Sequence, residues 1–545
     1  MMFLISNFLK RSVSWSLFLC ISITSYAQQF EWAQSFGGLG LDAGREVTSD
    51  EDGNVFLVGS FSGSANIGGT WYSGNGVQEA FVAKFNSAGT LMWVNLISGP
   101  EEDLGRGAVT DNLGNVYMVG HYTDTVSFYR YGQTLSGTAG SEGGQDIFVV
   151  KYGPNGNLLW FRTYGGTGDD TATDIDWYQW SNKLYVTGGF QGRGKFGTET
   201  ILSNGLSDAF LMKVDSEGNT HWVRHGGGAE HDVAAAVAVE HGDELIYMVG
   251  DFYSEAYFDG SLIQSAGSSD MFLAKFDHAG NQIWINTNGG TNVDVATSVG
   301  VDQNRFVYVS GYYQLTTVFQ SESATAEGYN DVFLSRFDED GNCNWLTSVG
   351  SNALDNCLGM DVRWDGTTYL TGMFENELFF GDSSVQGNGY DAFILCHEPS
   401  GSLRYVKTAG AGQSDFGMAI CLGSDESLYM AGYYYFYADF DEITIGNAEN
   451  GDGFLAKLTD IVGVSEPVFN SKDEDCLMYN RLVNSIEMRC DYNREWRLIN
   501  AVGQLIASGN ASEMFYLPPG LNGVHFLEII GENKRHIKKL VMVSE

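Results

Sequence analysis

The chain has 545 residues, room for about three or four domains of ordinary size, and carries 68 Asp+Glu against 29 Lys+Arg with only 18% of residues charged. With 43% hydrophobic and 14% aromatic residues, 70 glycines and 6 prolines, it holds too much core-forming material for a disordered acidic chain and suits short strands joined by glycine turns. A formal charge of -39 argues against nucleic acid as a partner, because that binding rests on Lys and Arg neutralising phosphates.

Lys10 and Arg11 precede a short apolar stretch that ends at Ser25-Tyr26-Ala27. A positive segment, a brief apolar segment and a small residue at the cut predict a secretory signal peptide over residues 1–27. The apolar stretch is broken by serines and is too short for the ~20 residues of a membrane span. Six cysteines follow it: Cys343, Cys357, Cys396, Cys421, Cys476 and Cys490. In an exported chain they permit disulfides, with Cys476 and Cys490 the local pair. Free thiols are the alternative for the other four. CxxC spacing is lacking, so no zinc site is expected.

From residue 28 to residue 460 one unit recurs. Each copy opens on an aromatic residue: Trp32, Trp93, Trp160, Trp222, Trp284, Trp345 and Tyr405. An aspartate follows at a fixed distance, at Asp42, Asp103, Asp170, Asp232, Asp294, Asp355 and Asp415. Next comes an apolar run ending Gly-x-aromatic, such as Gly59/Phe61 and Gly250/Phe252, and then an acid-x-Phe motif from Glu79 to Asp452. The apolar runs are four to eight residues long, rich in Val, Tyr and Phe, and bounded by turns such as Asp52-Gly53-Asn54 and Glu217-Gly218-Asn219. They read as antiparallel strands. About four strands per unit predict an all-β chain with a seven-bladed β-propeller over residues 28–460. The last unit lacks a Trp strand, and the chain begins with one, Phe30-Glu31-Trp32-Ala33-Gln34. Pairing those two halves would close the ring and remove an exposed edge.

The pattern Asp-x-Ala, Gly-Asn-Val-Tyr-x-x-Gly and Asp-Ala-Phe-x-x-Lys resembles the SBBP (beta-propeller) repeat. That resemblance implies an extracellular propeller and no particular activity.

Residues present in every unit serve a job every unit has. The aspartates, and the basic residues Lys84, Lys151, Lys213, Lys275, Arg336 and Lys457 that recur in every unit but the sixth, where Cys396 takes the place, are read as turn and blade-to-blade contacts. The competing reading is a carboxylate ring that holds cations, with calcium the one ion considered; otherwise no cofactor is expected. Departures from the pattern point to function. The second unit carries an insertion over residues 129–144 with Tyr129 and Tyr131 at its base, and the third replaces its acidic turn with Trp177-Tyr178-Gln179-Trp180. Aromatic rings on loops stack on sugars, so Trp177, Tyr178, Trp180, Tyr129 and Tyr131 are the candidate ligand-binding residues. His221, His225, His231 and His241 gather in the fourth unit without HExxH spacing, and no metal site is assigned to them. GxSxG, Walker and CxxC motifs are lacking. The glycines four residues before the Trp, as at Gly218 and Trp222, do not fit the spacing of three in a sialidase Asp-box. No catalytic residues are assigned and the chain is expected not to be an enzyme.

Residues 461–545 hold 9 basic and 11 acidic residues, close to balance. Strands are expected near 485–490, 495–500, 504–508, 524–530 and 538–543, forming a small β-sandwich. Three pieces, Trp496-Arg497-Leu498-Ile499-Asn500-Ala501-Val502-Gly503, Leu517-Pro518-Pro519-Gly520-Leu521-Asn522-Gly523-Val524, and the terminal Lys538-Lys539-Leu540-Val541-Met542-Val543, resemble the C-terminal sorting domain (type A) of type IX secretion substrates. The opening Pro-Asn-Pro is replaced by Glu466-Pro467-Val468. The resemblance implies Sec export, recognition by the type IX secretion machinery and a secreted or cell-surface location. The expected protein is a monomeric binding or adhesion module for polysaccharide or a cell-surface glycoprotein. An extracellular polysaccharide-acting enzyme and a purely structural surface component are the alternatives.

Overall fold

The computed structural model describes residues 28–130, 134–381 and 383–459, together with seven strands between Leu477 and Met542. Residues 1–27, where a signal peptide is expected, and Tyr131, Cys476 and Cys490 lie outside the described residues. The chain divides into two compact units, Met1–Ile461 and Val462–Glu545. Among the described residues there is no helix, and the named strands pair antiparallel.

Within the first unit each repeat contributes the same succession of strands. The first repeat runs Ala43–Ser49, Val55–Phe61, Glu79–Phe85 and Leu91–Ser98, hydrogen-bonded in that order. Its second and third strands are buried at every residue. Strands covered on both faces read as unbroken apolar runs rather than alternating ones, which is why Val55-Phe56-Leu57-Val58 shows no alternation. Hydrophobic clusters form between neighbouring repeats. Val47, Val55, Leu57 and Phe81 of the first repeat share one with Ala419, Tyr429, Ala431 and Leu455 of the last. The strand Gln29–Gly38 pairs antiparallel with Ile443–Thr459, setting Ala33 opposite Ala456 and Ser35 opposite Phe454.

The extra hairpin of each long repeat does not lie on its own sheet in the first, third, fourth and fifth repeats. The hairpin Glu255–Phe258 and Ser261–Gln264, for example, pairs with Gly226–Gly228 at the end of the preceding repeat's Trp strand. That approach requires glycine, since a Cβ on Gly228 would sit 1.8 Å from the Glu255 carbonyl oxygen. The insertion at residues 129–144 is largely strand, the tip of a long hairpin formed by Val116–Arg130 and Thr134–Tyr152.

The recurring charged residues tie turns together. Asp42 is fully buried and accepts the Gly38 and Ser62 amides at 2.7 and 3.0 Å, and Asp232 accepts Gly228 and Tyr253 at 2.6 and 3.1 Å. Lys84 pairs with Asp50 at 3.0 Å, and Lys213 reaches both Glu244 at 2.8 Å and the His278 carbonyl of the next repeat at 3.0 Å. Cys343, Cys357, Cys396 and Cys421 form no disulfide with one another.

The second unit holds, among the described residues, a three-stranded sheet of Leu477–Asn480, Ser485–Met488 and Phe515–Tyr516. A four-stranded sheet has the order Leu505–Asn510, Glu495–Asn500, Gly523–Ile530 and Arg535–Met542.

Candidate functional site

The first strand of every repeat lines one cavity of about 570 Å³. These strands are Ala43–Ser49, Asp103–Thr110, Thr171–Tyr178, Val233–Glu240, Asp294–Val301, Asn356–Val362 and Asp415–Leu422. Each breaks register with its partner at the same point, between the second and fourth residues after the recurring aspartate. A bulge leaves one residue without a cross-strand partner and re-aims its side chain. The seven bulge residues, Arg45, Arg106, Thr173, Ala235, Thr297, Leu358 and Met418, all line the cavity. They form a ring of unlike residues on a recurring frame.

Two of the seven are arginines, on neighbouring strands. Arg45 donates Nε to Ser60 Oγ at 3.1 Å. Burial first, and the charge of Arg106 second, lower its guanidinium to about 10. Arg106 is exposed and makes no hydrogen bond or salt bridge among the described residues. Glu102 lies nearby, with its carboxylate 3.7 Å from His121 Nε2. Burial holds that imidazole below its ordinary pKa.

Farther along the same strands the lining turns acidic, with Glu46, Asp174, Asp176 and Asp361. Asp174 accepts the Val237 amide at 2.9 Å, Asp176 the Val239 amide at 2.8 Å and Asp361 the Leu422 amide at 2.6 Å. Each of these bonds joins two successive first strands. Burial is the largest influence on all four carboxyls and raises them, Asp174 to about 6. The cavity is therefore bipolar, cationic at the bulge ring and acidic beyond it.

Beside Arg45 stands a row of half-buried aromatic rings that belongs to none of the hydrophobic clusters. Phe416 and Tyr433 stack at 4.6 Å between centroids and 14° between planes, and Tyr390 continues the row at 6.1 Å and 23°. The Tyr433 hydroxyl and the Arg45 guanidinium sense each other electrostatically.

The aromatic residues singled out from the sequence are not brought together in this way. Tyr178 is 5% exposed in the core between the third and fourth repeats and donates its hydroxyl to the Gly242 carbonyl. Trp177 packs against another cluster and donates to Asn182 Oδ1 at 2.9 Å. Strand alternation sends these two neighbours to opposite faces; Trp180 lies beyond the strand in the turn, is 72% exposed, and donates its indole N–H to the His241 carbonyl. Tyr129 packs against the hydrophobic cluster shared by the first and last repeats. The four histidines also diverge: His225 pairs with Asp208 at 2.9 Å, His221 with Asp215 at 3.3 Å, and His231 contacts Ser207. Among the described residues no group of three or more His, Cys, Asp or Glu is arranged to hold a metal ion.

Sequence reasoning missed Arg45 and Arg106. The signal was present: both stand three residues after the recurring aspartate, where the other five repeats carry Thr, Ala, Thr, Leu and Met.

No family model matches the chain. Over 452 residues it is 21% identical to an uncharacterized WD repeat-containing protein of Acanthamoeba polyphaga mimivirus, covering 67% of this chain and 32% of that one. Over 224 residues it is 27% identical to the regulatory protein FlaEY of Caulobacter vibrioides, covering 38% and 22%. The chain thus spans under a third of either relative. Among solved structures, a mutant GH43 protein of Bacillus licheniformis overlaps 78% of this chain and 98% of its own at 11% identity and a TM-score of 0.25. The extracellular domain of a one component system of B. thetaiotaomicron overlaps 95% and 99% at 11% identity and a TM-score of 0.17. The recurring four-strand units around one cavity, with a WD-repeat relative, mark a propeller-like repeat protein.

Proposed function

We propose that the chain is a secreted or surface-attached binding module, a seven-bladed propeller of SBBP type whose N-terminal strand completes the last blade. Its ligand site is the mouth of the central cavity. The observation that carries this reading is the bulge ring. Residues that recur in every repeat are consumed in turns and ties between blades, whereas the bulge position differs among repeats and faces open space. A scaffold held by recurring contacts, with one variable position of each repeat facing the same concavity, is how a repeat fold presents a specific site. The pairing of Gln29–Gly38 with Ile443–Thr459 and the core shared by first and last repeats support the closed ring.

The module works by retention rather than chemistry. Asp174, Asp176 and Asp361 already accept backbone amides from the neighbouring strand, an arrangement suited to holding the ring together. The test is a polysaccharide and glycoprotein array probed with the purified protein and scored for retention and for cleavage. Retained, intact glycan is the expected result. Cleaved glycan would replace this reading with an enzyme, and a blank array would favour a structural surface component.

Export follows the two-address route, a leader over residues 1–27 and a sorting domain over 461–545. Deleting residues 461–545 is expected to trap the propeller in the periplasm. Normal surface display of the deletion would overturn the sorting role.

A further inference from the structure

We infer that Arg45 and Arg106 bind the carboxylate of a single acidic sugar residue at the mouth of the cavity, with Tyr433, the ring of the aromatic row beside Arg45, as the shelf for the sugar. This rests on the binding reading above and narrows its ligand.

The first ground is the treatment of cations elsewhere in the chain. With 68 acids to 29 bases, carboxylate partners are plentiful, and the structure uses them. Lys84 pairs with Asp50 at 3.0 Å, Arg363 with Glu426 at 2.8 Å and Lys457 with Asp425 at 3.1 Å. Arg45 and Arg106 form no salt bridge among the described residues, although they repel each other across one cavity. Among the described residues Glu102 is the one carboxylate whose charge reaches both guanidiniums, and it forms a salt bridge with neither, lying 3.7 Å from His121 instead. Two guanidiniums sharing one unbridged carboxylate keep positive charge for a bound anion. Their planar N–H forks match a carboxylate in geometry and charge. Ser60 holds Arg45 by Nε alone, leaving the two terminal nitrogens of its fork for a ligand.

The second ground is the aromatic row. Phe416, Tyr433 and Tyr390 are half-buried, mutually stacked and outside every hydrophobic cluster, with Tyr433 beside Arg45. An aromatic face next to a carboxylate clamp suits a pyranose that carries its own carboxylate.

The third ground is the acidic layer farther along the strands. Glu46, Asp174, Asp176 and Asp361 offer a second anionic group advancing past the arginines no cation to pair with, and any of them that is ionised repels it. The net charge of -39 disfavours a polyanion from a distance. One acidic residue, at the end of a glycan, satisfies both constraints.

The experiment is calorimetric titration of the full chain with methyl β-glucuronide, with its neutral counterpart methyl β-glucoside, and with acetate. The glucuronide is expected to bind at least about tenfold more tightly than the glucoside. Arg45→Gln and Arg106→Gln should each weaken the glucuronide by about tenfold or more, with circular dichroism and thermal midpoint unchanged. Should either variant fold poorly, Arg45→Lys and Arg106→Lys keep the charge, lose the fork, and should still weaken binding. Tyr433→Ala should weaken the glucuronide without affecting acetate. Equal affinity for the two glycosides, or undiminished glucuronide binding in the well-folded arginine variants, would overturn the inference. So would failure of the glucuronide to bind, in which case retention of neutral glycans on the array would leave the binding reading intact.

Discussion

Trp160 donates its indole N–H to the carbonyl of Ser216 at 2.7 Å, across the boundary between two successive repeats. Trp93 makes the same bond to Pro154 at 3.0 Å, Trp222 to His278 at 3.3 Å and Trp284 to Glu339 at 3.2 Å. The recurring Trp and the recurring turn glycine are thus one device, because each ring lies under the turn of the following repeat. Gly218 has φ +82°, and a Cβ there would come within 3.1 Å of the Trp160 ring. Gly218→Ala is therefore expected to destabilise the protein by about 1–2 kcal/mol from backbone strain. Trp160→Phe, which loses only the N–H donor and some area, should lose about 1 kcal/mol. Denaturant titration of both variants measures this, and an unchanged midpoint for Gly218→Ala would contradict the reading.

The buried aspartates make stability depend on pH in an unusual direction. Burial, reinforced by Asp452, lifts Asp42 to about 7; burial and Glu79 lift Asp103 to about 8; burial and Asp391 lift Asp415 to about 8. A carboxyl whose folded-state pKa exceeds its unfolded value holds more protons when folded. Its contribution is complete below about pH 4 and is lost as pH climbs to the folded value. The thermal midpoint is expected to rise between about pH 8 and about pH 5.5. A midpoint that falls over that interval in calorimetric scans would contradict these assignments.

Asp176 separates charge from hydrogen bonding. Its carboxylate accepts the Val239 amide at 2.8 Å and the Trp177 amide at 2.7 Å. Asp176→Ala strands those donors and is expected to remove about 1–3 kcal/mol. Asp176→Asn keeps an acceptor and removes a charge that burial disfavours, so its stability at neutral pH should match or exceed the parent. Equal losses in the two variants would show that the charge itself is needed.

The strand Gln29–Gly38 covers an edge that would otherwise stand open. Removing it bares the backbone of Ile443–Thr459 and leaves Phe81 without Phe36, now 5.3 Å away in edge-to-face contact. An exposed strand edge recruits other chains. A chain beginning at Leu39 is expected to elute as oligomers or aggregate in size-exclusion chromatography, and a monomer of unchanged stability would overturn the closure role.

Much of this architecture is legible in the amino-acid order because its determinants are local and repeated. Asp42 to Asp415, the turn glycines and the opening aromatics announce unit length, strand number and turn positions without any knowledge of packing. The half-unit at Phe30 and the matching gap after Asp452 announce even a long-range pairing, since a missing strand is countable. Function was harder to see. Trp177, Tyr178 and Trp180 look alike in sequence, but Tyr178 ends a strand with its ring in the core, whereas Trp180 lies past that strand's end in the exposed turn. Arg45 and Arg106 are 61 positions apart and unremarkable in their own repeats. Only stacking the repeats about a common cavity, with a bulge at the same point of each first strand, turns both side chains to one space. Sequence alone determined the unit, because each residue's backbone preference and apolar pattern act within a few neighbours. The tertiary structure decided the site, because a charge has no partner or rival until the chain has folded back to supply or withhold one.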